Sequence, residues 1–275
     1  GSPVAIEIKN SEWFRSDVWH EEMSPEPGKT KKPLTQPRPG HADLTGMQKY
    51  GFDDARDVLE RASARETAAR VAAGALAKVL LKQINVSVLS HVLQLGGARS
   101  DNTTRPTLVD LAKVDESPVR CFDSQAEARM ISEIESAAKE GDSLGGIVEV
   151  LAYGLPVGLG SYVHWDRKLD GLLAQAIMSI QAVKGVEIGA GFKSIAQKGS
   201  EHGDELHPDG FASNNSGGTL GGISTGQDLR VSIAIKPTSS ILSPKESVDL
   251  DGKPITVQTK GRHDPCVGIR ATPIA

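Results

Sequence analysis

The chain has only two cysteines, Cys121 and Cys266, which lie far apart and form no CxxC pair. That spacing argues against a disulfide framework and for reduced thiols used in packing. No apolar run approaches the length of a bilayer span, and no basic stretch followed by an apolar core opens the chain, so neither a membrane span nor a secretory leader is indicated. An excess of one charge is missing as well: 31 Lys and Arg face 35 Asp and Glu, for a net charge of -4 and a pI near 6.0. Such a balance excludes a general nucleic-acid or membrane binder, so the reading is a cytoplasmic protein whose basic sites are local. The familiar ligand motifs are also wanting. Gly217 to Gly226 lacks the lysine and hydroxyl residue of a P-loop, and Gly189-Ala190-Gly191 has no third glycine in register. His202 and His207 stand five apart with no HExxH or cysteine cluster, and no metal is expected.

What is present suffices for a globular body. The chain has 275 residues, 38% of them hydrophobic, enough for one large domain or two small ones. Alternating Val4, Ile6 and Ile8 read as a first strand. Residues 21 to 46 carry five prolines and no apolar period, which predicts a long loop, and loops of that length usually carry function. A helical pattern starts near Phe52. Within it Ser63-Ala64-Arg65-Glu66 fits a capping box that begins a new helix. Thr67 to Lys82 then places Val71, Ala72, Ala75, Leu76, Val79 and Leu80 on one stripe, predicting a helix packed on a sheet. Strands are predicted at Ile84 to Leu95, Gly145 to Leu155, Val183 to Ile188, Leu229 to Ile235 and Ile255 to Thr259. Further helices are predicted at Ser124 to Lys139, ended by Gly141, and at Asp166 to about Gln181. Residues 195 to 222 read as a glycine-rich loop that orders on binding something.

Four places put anion-binding groups at element ends: Arg61 to Arg65, the glycines of 217–222, Lys236 to Ser240, and Gly261-Arg262. At the first, the positive end of a helix meets Arg61, Arg65 and Arg70, although Glu66 already occupies part of that field. His41, His91, His263 and Asp264 are candidate acid-base groups, each of them as readily a hydrogen-bonded structural residue.

These stretches, taken together and in order, resemble the chorismate synthase family along almost the whole chain. The resemblance rests on Arg38-Pro-Gly-His41-Ala-Asp43, Lys49-Tyr-Gly-Phe-Asp53 and Arg61-Ala-Ser63-Ala-Arg65-Glu-Thr67-Ala-Ala-Arg70. It continues through Gly217-Gly-Thr-Leu-Gly221-Gly-Ile-Ser224-Thr-Gly226, Lys236-Pro-Thr-Ser-Ser240 and Gly261-Arg-His-Asp264-Pro-Cys266. What it implies is a single α/β (α+β) domain over residues 1–275, built as two related halves whose helices are sandwiched by β-sheets and assembled as a homotetramer. It implies reduced FMN as cofactor, contacted by Arg61, Ala62, Ser63, Gln181, Ala182, Gly221, Lys236, Pro237, Thr238, Ser239, Ser240 and Arg262. Arg38, Arg65 and Arg70 would bind substrate, and His41 and Asp264 would be catalytic.

The family's reaction is a 1,4-anti elimination of phosphate from 5-enolpyruvylshikimate-3-phosphate to give chorismate, the last common step of the shikimate pathway, with the flavin a transient electron donor. Flavin reduction would draw on NADPH, through the protein itself or a separate reductase. Family members begin with a Gly-Glu-Ser-His-Gly-like segment that supplies another histidine. None stands before Gly1, and the family's tail is cut at Ala275, so the reading is a piece of a longer protein, inactive by itself. The alternative reading keeps the scaffold as a non-catalytic flavin- or anion-binding module. A bare oligomerisation core would not need Arg65, Lys236, Arg262 and Asp264 together.

Overall fold

The computed structural model describes residues 1–10, 33–101, 103–259 and 263–275. They pack as two compact units, one of residues 1–63 with 245–257, the other of 64–244 with 258–275.

In the first unit, helix α1 (Asp43–Tyr50) packs against helix α2 (Ala55–Arg61). Met47, Ala55 and Val58 form their small shared core. Gly46 makes the close approach possible, because a Cβ there would lie 2.4 Å from a Val58 methyl. Asp54 caps α2 by accepting from the Arg56 N–H, and it also accepts from Leu34 N. The loop predicted up to residue 46 therefore gives way to a helix three residues early. A hairpin of Lys245–Val248 with Pro254–Val257 completes the unit and reaches Pro37 through Ser247 Oγ. The strand predicted at Val4, Ile6 and Ile8 does not form: the three side chains are exposed, and no pairing fixes them among the described residues. Alternation alone makes no strand without a ladder to join.

The second unit holds a fully antiparallel five-stranded sheet. Its strands are β1 (Ser87–Leu95), β2 (Ala98–Arg99), β3 (Gly146–Tyr153), β4 (Val183–Ile188) and β5 (Leu229–Ile235), in the order β2-β1-β3-β5-β4. On one face Val92, Val148, Val150, Val231 and Ile233 join the core. Helix α5 (Ser124–Glu140) buries Ala126 and Met130 there, and helix α6 (Leu169–Met178) buries Ile177. Asp123 caps α5, and Gly141, in the left-handed region, ends it where the sequence pattern predicts. The opposite face carries buried Leu89, His91, Glu149 and Leu151. The segment from Thr103 to Arg120, with the short helix α4 (Leu111–Glu116), meets that face: Arg105 bonds Glu149, and the Tyr153 hydroxyl donates to Pro106 O. Mixed helix and sheet is the class observed, and no helix among the described residues is long and apolar enough to cross a membrane.

Helix α3 (Thr67–Gln83) follows a single 3-10 turn at Ala64–Glu66, so a helix does start just after Ser63. Its orientation departs from the predicted packing. Val71, Leu76, Val79 and Leu80 are exposed, whereas Thr67 is buried and Leu81 packs on the core. Polar links at the helix start set this rotation: Glu66 accepts from Gln181 Nε2, and Arg70 donates to Ser179. Residues 195–222 are a series of short helical turns and two-residue ribbons held by internal hydrogen bonds. The Asp204 carboxylate accepts from Ser213 Oγ, Asn215 N and Ser216 N.

Ile233 sits at the centre of the core with no exposed surface. Ile233→Ala should cost about 2–5 kcal/mol in urea unfolding of the second unit. A loss below about 1 kcal/mol would mean that the strand is not packed as described.

Candidate functional site

The second unit collects most of its sequence-predicted site residues at one end of the sheet. There β5 ends, β4 begins, and Ile235 stands opposite both Val183 and Gly146. Past Ile235 the chain enters Lys236-Pro237-Thr238-Ser239-Ser240, and Lys236 N donates to Ala182 O at 2.9 Å. One backbone bond thus joins the strand end to the Gln181–Ala182 turn.

That turn is strained. Ala182 has φ +70°, a left-handed conformation rare for a residue with a Cβ. Ile180 and Val183 are both buried on either side of it, so core packing fixes the turn from both ends. Gln181 donates to Glu66 Oε1 at 2.6 Å, and its own Oε1 is buried without a partner among the described residues. Glu66 also receives Arg70 Nε at 2.9 and 3.1 Å. Arg70 Nη1 in turn donates to Ser179 Oγ at 2.8 Å. Arg70 is therefore a brace within the protein, while Arg65 stands exposed on the 3-10 turn.

Further along the same sheet end, Ser143 Oγ donates to Thr238 O and Leu242 N to Gly141 O. Leu144 pairs with the segment that carries Asp264, through Pro265 O and a bridge to Cys266. Ser240, Asp142, His263 and Asp264 line one cavity of about 390 Å³. Asp264 also borders a second cavity, of about 440 Å³, with Arg120 and Arg270. Arg270 Nε lies 3.2 Å from its carboxylate. Burial pushes the Cys266 thiol up, in keeping with a packing role. Asp142 and Arg270 carried no motif signal: the pairing of Leu144 with Pro265 and Cys266 brings Asp142 to Asp264, and Arg270 reaches it from a helical turn six residues on.

In the first unit Arg38 forks onto Asp43, Nε to Oδ2 at 2.8 Å and Nη2 to Oδ1 at 3.0 Å, and its N–H also reaches Oδ2. Burial alone would raise the Asp43 carboxyl, but Arg38's bonds and charge, with the charge of His41, lower it. The pair fastens the turn that presents His41. Arg61 and Ala62 border an open apolar cavity of about 780 Å³ with Tyr50, Phe52 and Val58; the two aromatic rings stack at 5.7 Å.

One predicted residue of the second unit is not gathered with the others. Gly221 turns the hairpin of Thr219–Leu220 with Ile223–Ser224, which adjoins the opposite end of the sheet: Ser224 bonds Pro156 and Leu159 beyond β3. Its φ of +59°, followed by +82° at Gly222, makes a two-residue turn that glycine suits. Arg262 lies outside the described residues. Among the described residues no group of three His, Cys, Asp or Glu could hold a metal ion.

The chorismate synthase family model matches residues 1–275. A chorismate synthase of Leifsonia xyli subsp. xyli is 51% identical over 278 residues, covering 97% of this chain and 68% of the relative. One from Thermobifida fusca is 49% identical over 289 residues, covering 100% of this chain and 72% of its own length. A solved crystal structure of chorismate synthase superposes with a TM-score of 0.67 at 42% identity, over 71% of this chain and 62% of that one. The antiparallel sheet and its polar, turn-built end thus belong to an enzyme family of α+β architecture. The chain is a member of the chorismate synthase family and spans roughly two thirds of the length of these relatives.

Asp204 holds the glycine-rich stretch together, and its titration reports on that role. Burial would raise its carboxyl, but the bonds from Ser213, Ser216 and Asn215 outweigh it and bring the value from 3.8 to about 2. A folded value below the unfolded one means a contribution complete above about pH 4 and lost as the pH falls towards 2. Thermal unfolding of Asp204→Asn should therefore fall short of the parent at pH 7 and converge on it in acid. A difference that does not change with pH would contradict the bonding described.

Proposed function

We propose that this chain carries the carbon-oxygen lyase chemistry of its family, converting 5-enolpyruvylshikimate-3-phosphate to chorismate and phosphate with reduced FMN bound. The observation that carries the reading is the meeting of Lys236–Ser240, the Gln181–Ala182 turn and the Asp264 segment at one sheet end. The donor set there fits a flavin nucleotide. The buried Gln181 Oε1 has no donor among the described residues; an N–H or hydroxyl of the ligand would supply one, and a buried acceptor left unpaired is costly. Lys236 and the hydroxyls of Thr238, Ser239 and Ser240 suit a phosphate or ribityl chain. By the same reading Arg61, Ala62, Ser63 and Arg262 are flavin contacts. When bound, reduced FMN supplies the transient electron that loosens the allylic carbon–oxygen bond.

The chain's own residues do the rest. Arg65, exposed and planar, pairs bidentately with a phosphate or carboxylate and keeps its charge at every working pH. Arg38 and Arg70 act mainly by position, since their guanidinium groups already hold Asp43 and Glu66. His41 offers an imidazole that can carry a proton, and Asp264 provides a carboxylate beside the ligand. On this reading the cationic groups orient the substrate and stabilise developing negative charge on the departing phosphate. The reading extends to a homotetramer, a cytoplasmic location, and NADPH as the source of reducing equivalents, used directly or through a separate reductase.

The test is an anaerobic assay of the full-length protein with reduced FMN and substrate, following chorismate absorbance. Product is expected, with His41→Ala lowering kcat about 10²-fold or more and Lys236→Ala weakening flavin binding. Flavin binding with no product in the full-length protein would favour the non-catalytic module. Neither binding nor product would sink both readings.

A further inference from the structure

The sheet face opposite α5 and α6 carries a polar cluster that the proposed chemistry does not use. His91 on β1 and Glu149 on β3 are direct neighbours across the ladder, with Nε2 and Oε2 3.0 Å apart. Arg105 Nε reaches both Glu149 oxygens, at 2.8 and 3.0 Å. The His91 and Glu149 side chains are only 4% and 3% exposed, so each polar atom there needs a partner. Burial alone would raise the Glu149 carboxyl, yet His91 and Arg105 together lower it, and it stays ionised. One carboxylate facing one guanidinium is already charge-balanced. The bond to the Glu149 carboxylate is donated by His91 Nε2–H, and in the neutral ring that tautomer leaves Nδ1 as an acceptor.

That acceptor is buried and has no hydrogen-bond partner among the described residues. His91 also lines a cavity of about 10 Å³, bordered by Ser100, Thr104 and Asp123. A void holds one water once it offers roughly 10–15 Å³ and two or more polar partners. This one meets the size for a single water, is too small for any larger ligand, and sets polar groups beside Leu93 and Phe122, where a wholly apolar void would stay dry. Ser100 Oγ donates to Asp123 Oδ2 at 2.8 Å, and Asp123 is the cap of α5.

We propose that this cavity is a binding site for one structural water, which donates to His91 Nδ1 and takes its remaining bonds from the hydroxyl and carboxylate groups of the lining. The water extends the chain Arg105, Glu149, His91 to the cap of α5, tying the segment after β2 to both β1 and the helix start. It fixes the His91 ring in one tautomer and keeps a buried lone pair satisfied.

Two measurements on the unaltered protein decide it. In protein carrying 15N-labelled histidine, long-range 15N–1H correlation should show His91 neutral, protonated at Nε2, with the Nδ1 signal shifted towards the hydrogen-bonded acceptor position. A high-resolution crystal structure should show one solvent peak within hydrogen-bond distance of Nδ1. An imidazolium, the opposite tautomer, or a cavity without density would each overturn the proposal.

Discussion

The bond from Lys236 N to Ala182 O is the constraint on which the candidate site depends. It exists because β5 runs between β3 and β4 and ends opposite the first residue of β4. With Ile180 and Val183 anchored in the core, the two residues between them have no freedom to relax, and Ala182 is held at positive φ. A left-handed alanine costs about 1–2 kcal/mol, which the burial of its two neighbours, at about 1.5–3 kcal/mol each, can offset. The strand end is thereby delivered, rigid, beside a glutamine whose carbonyl oxygen has no donor among the described residues.

A second consequence is the layout of charge. Glu66 lies between Gln181 and Arg70, so the cation nearest the turn is neutralised inside the protein, while Arg65 is exposed. In the first unit Asp43 does the same for Arg38. Arginines that look equivalent as a sequence motif are thus divided into braces and candidate ligand-binding groups. Replacing a brace removes a partner from a carboxylate, and in the case of Asp43 that carboxylate is buried, so such a variant loses stability before it loses binding.

Much of this was legible in the sequence. The strands at 183–188 and 229–235 and the helix beginning at Ser124 fall where periodicity and caps put them, and a helix runs through the stretch predicted from Thr67, though without a side-chain cap at its N-cap residue Glu66, because hydrophobic spacing acts locally. The rotation of α3 was not legible. Its alanine-rich stripe has the stronger apolar signal, but hydrogen bonds to residues more than a hundred positions away decide which side faces in. The Val4 to Ile8 alternation failed for the complementary reason, since a strand is a property of its partner as well as of itself. At the site, the resemblance assigned the strand end and the Gln181–Ala182 turn to one cofactor, and a backbone bond joins the two segments, whereas Gly221, assigned with them, turns a hairpin at the other end of the sheet.

The central claim is that the strand end at Lys236–Ser240 and the Gln181–Ala182 turn form one flavin-binding surface. A crystal structure of the full-length protein with FMN tests it most directly. The account predicts flavin density in contact with both segments, with a ligand donor at Gln181 Oε1. Flavin bound elsewhere, with that oxygen still unpaired, would contradict it.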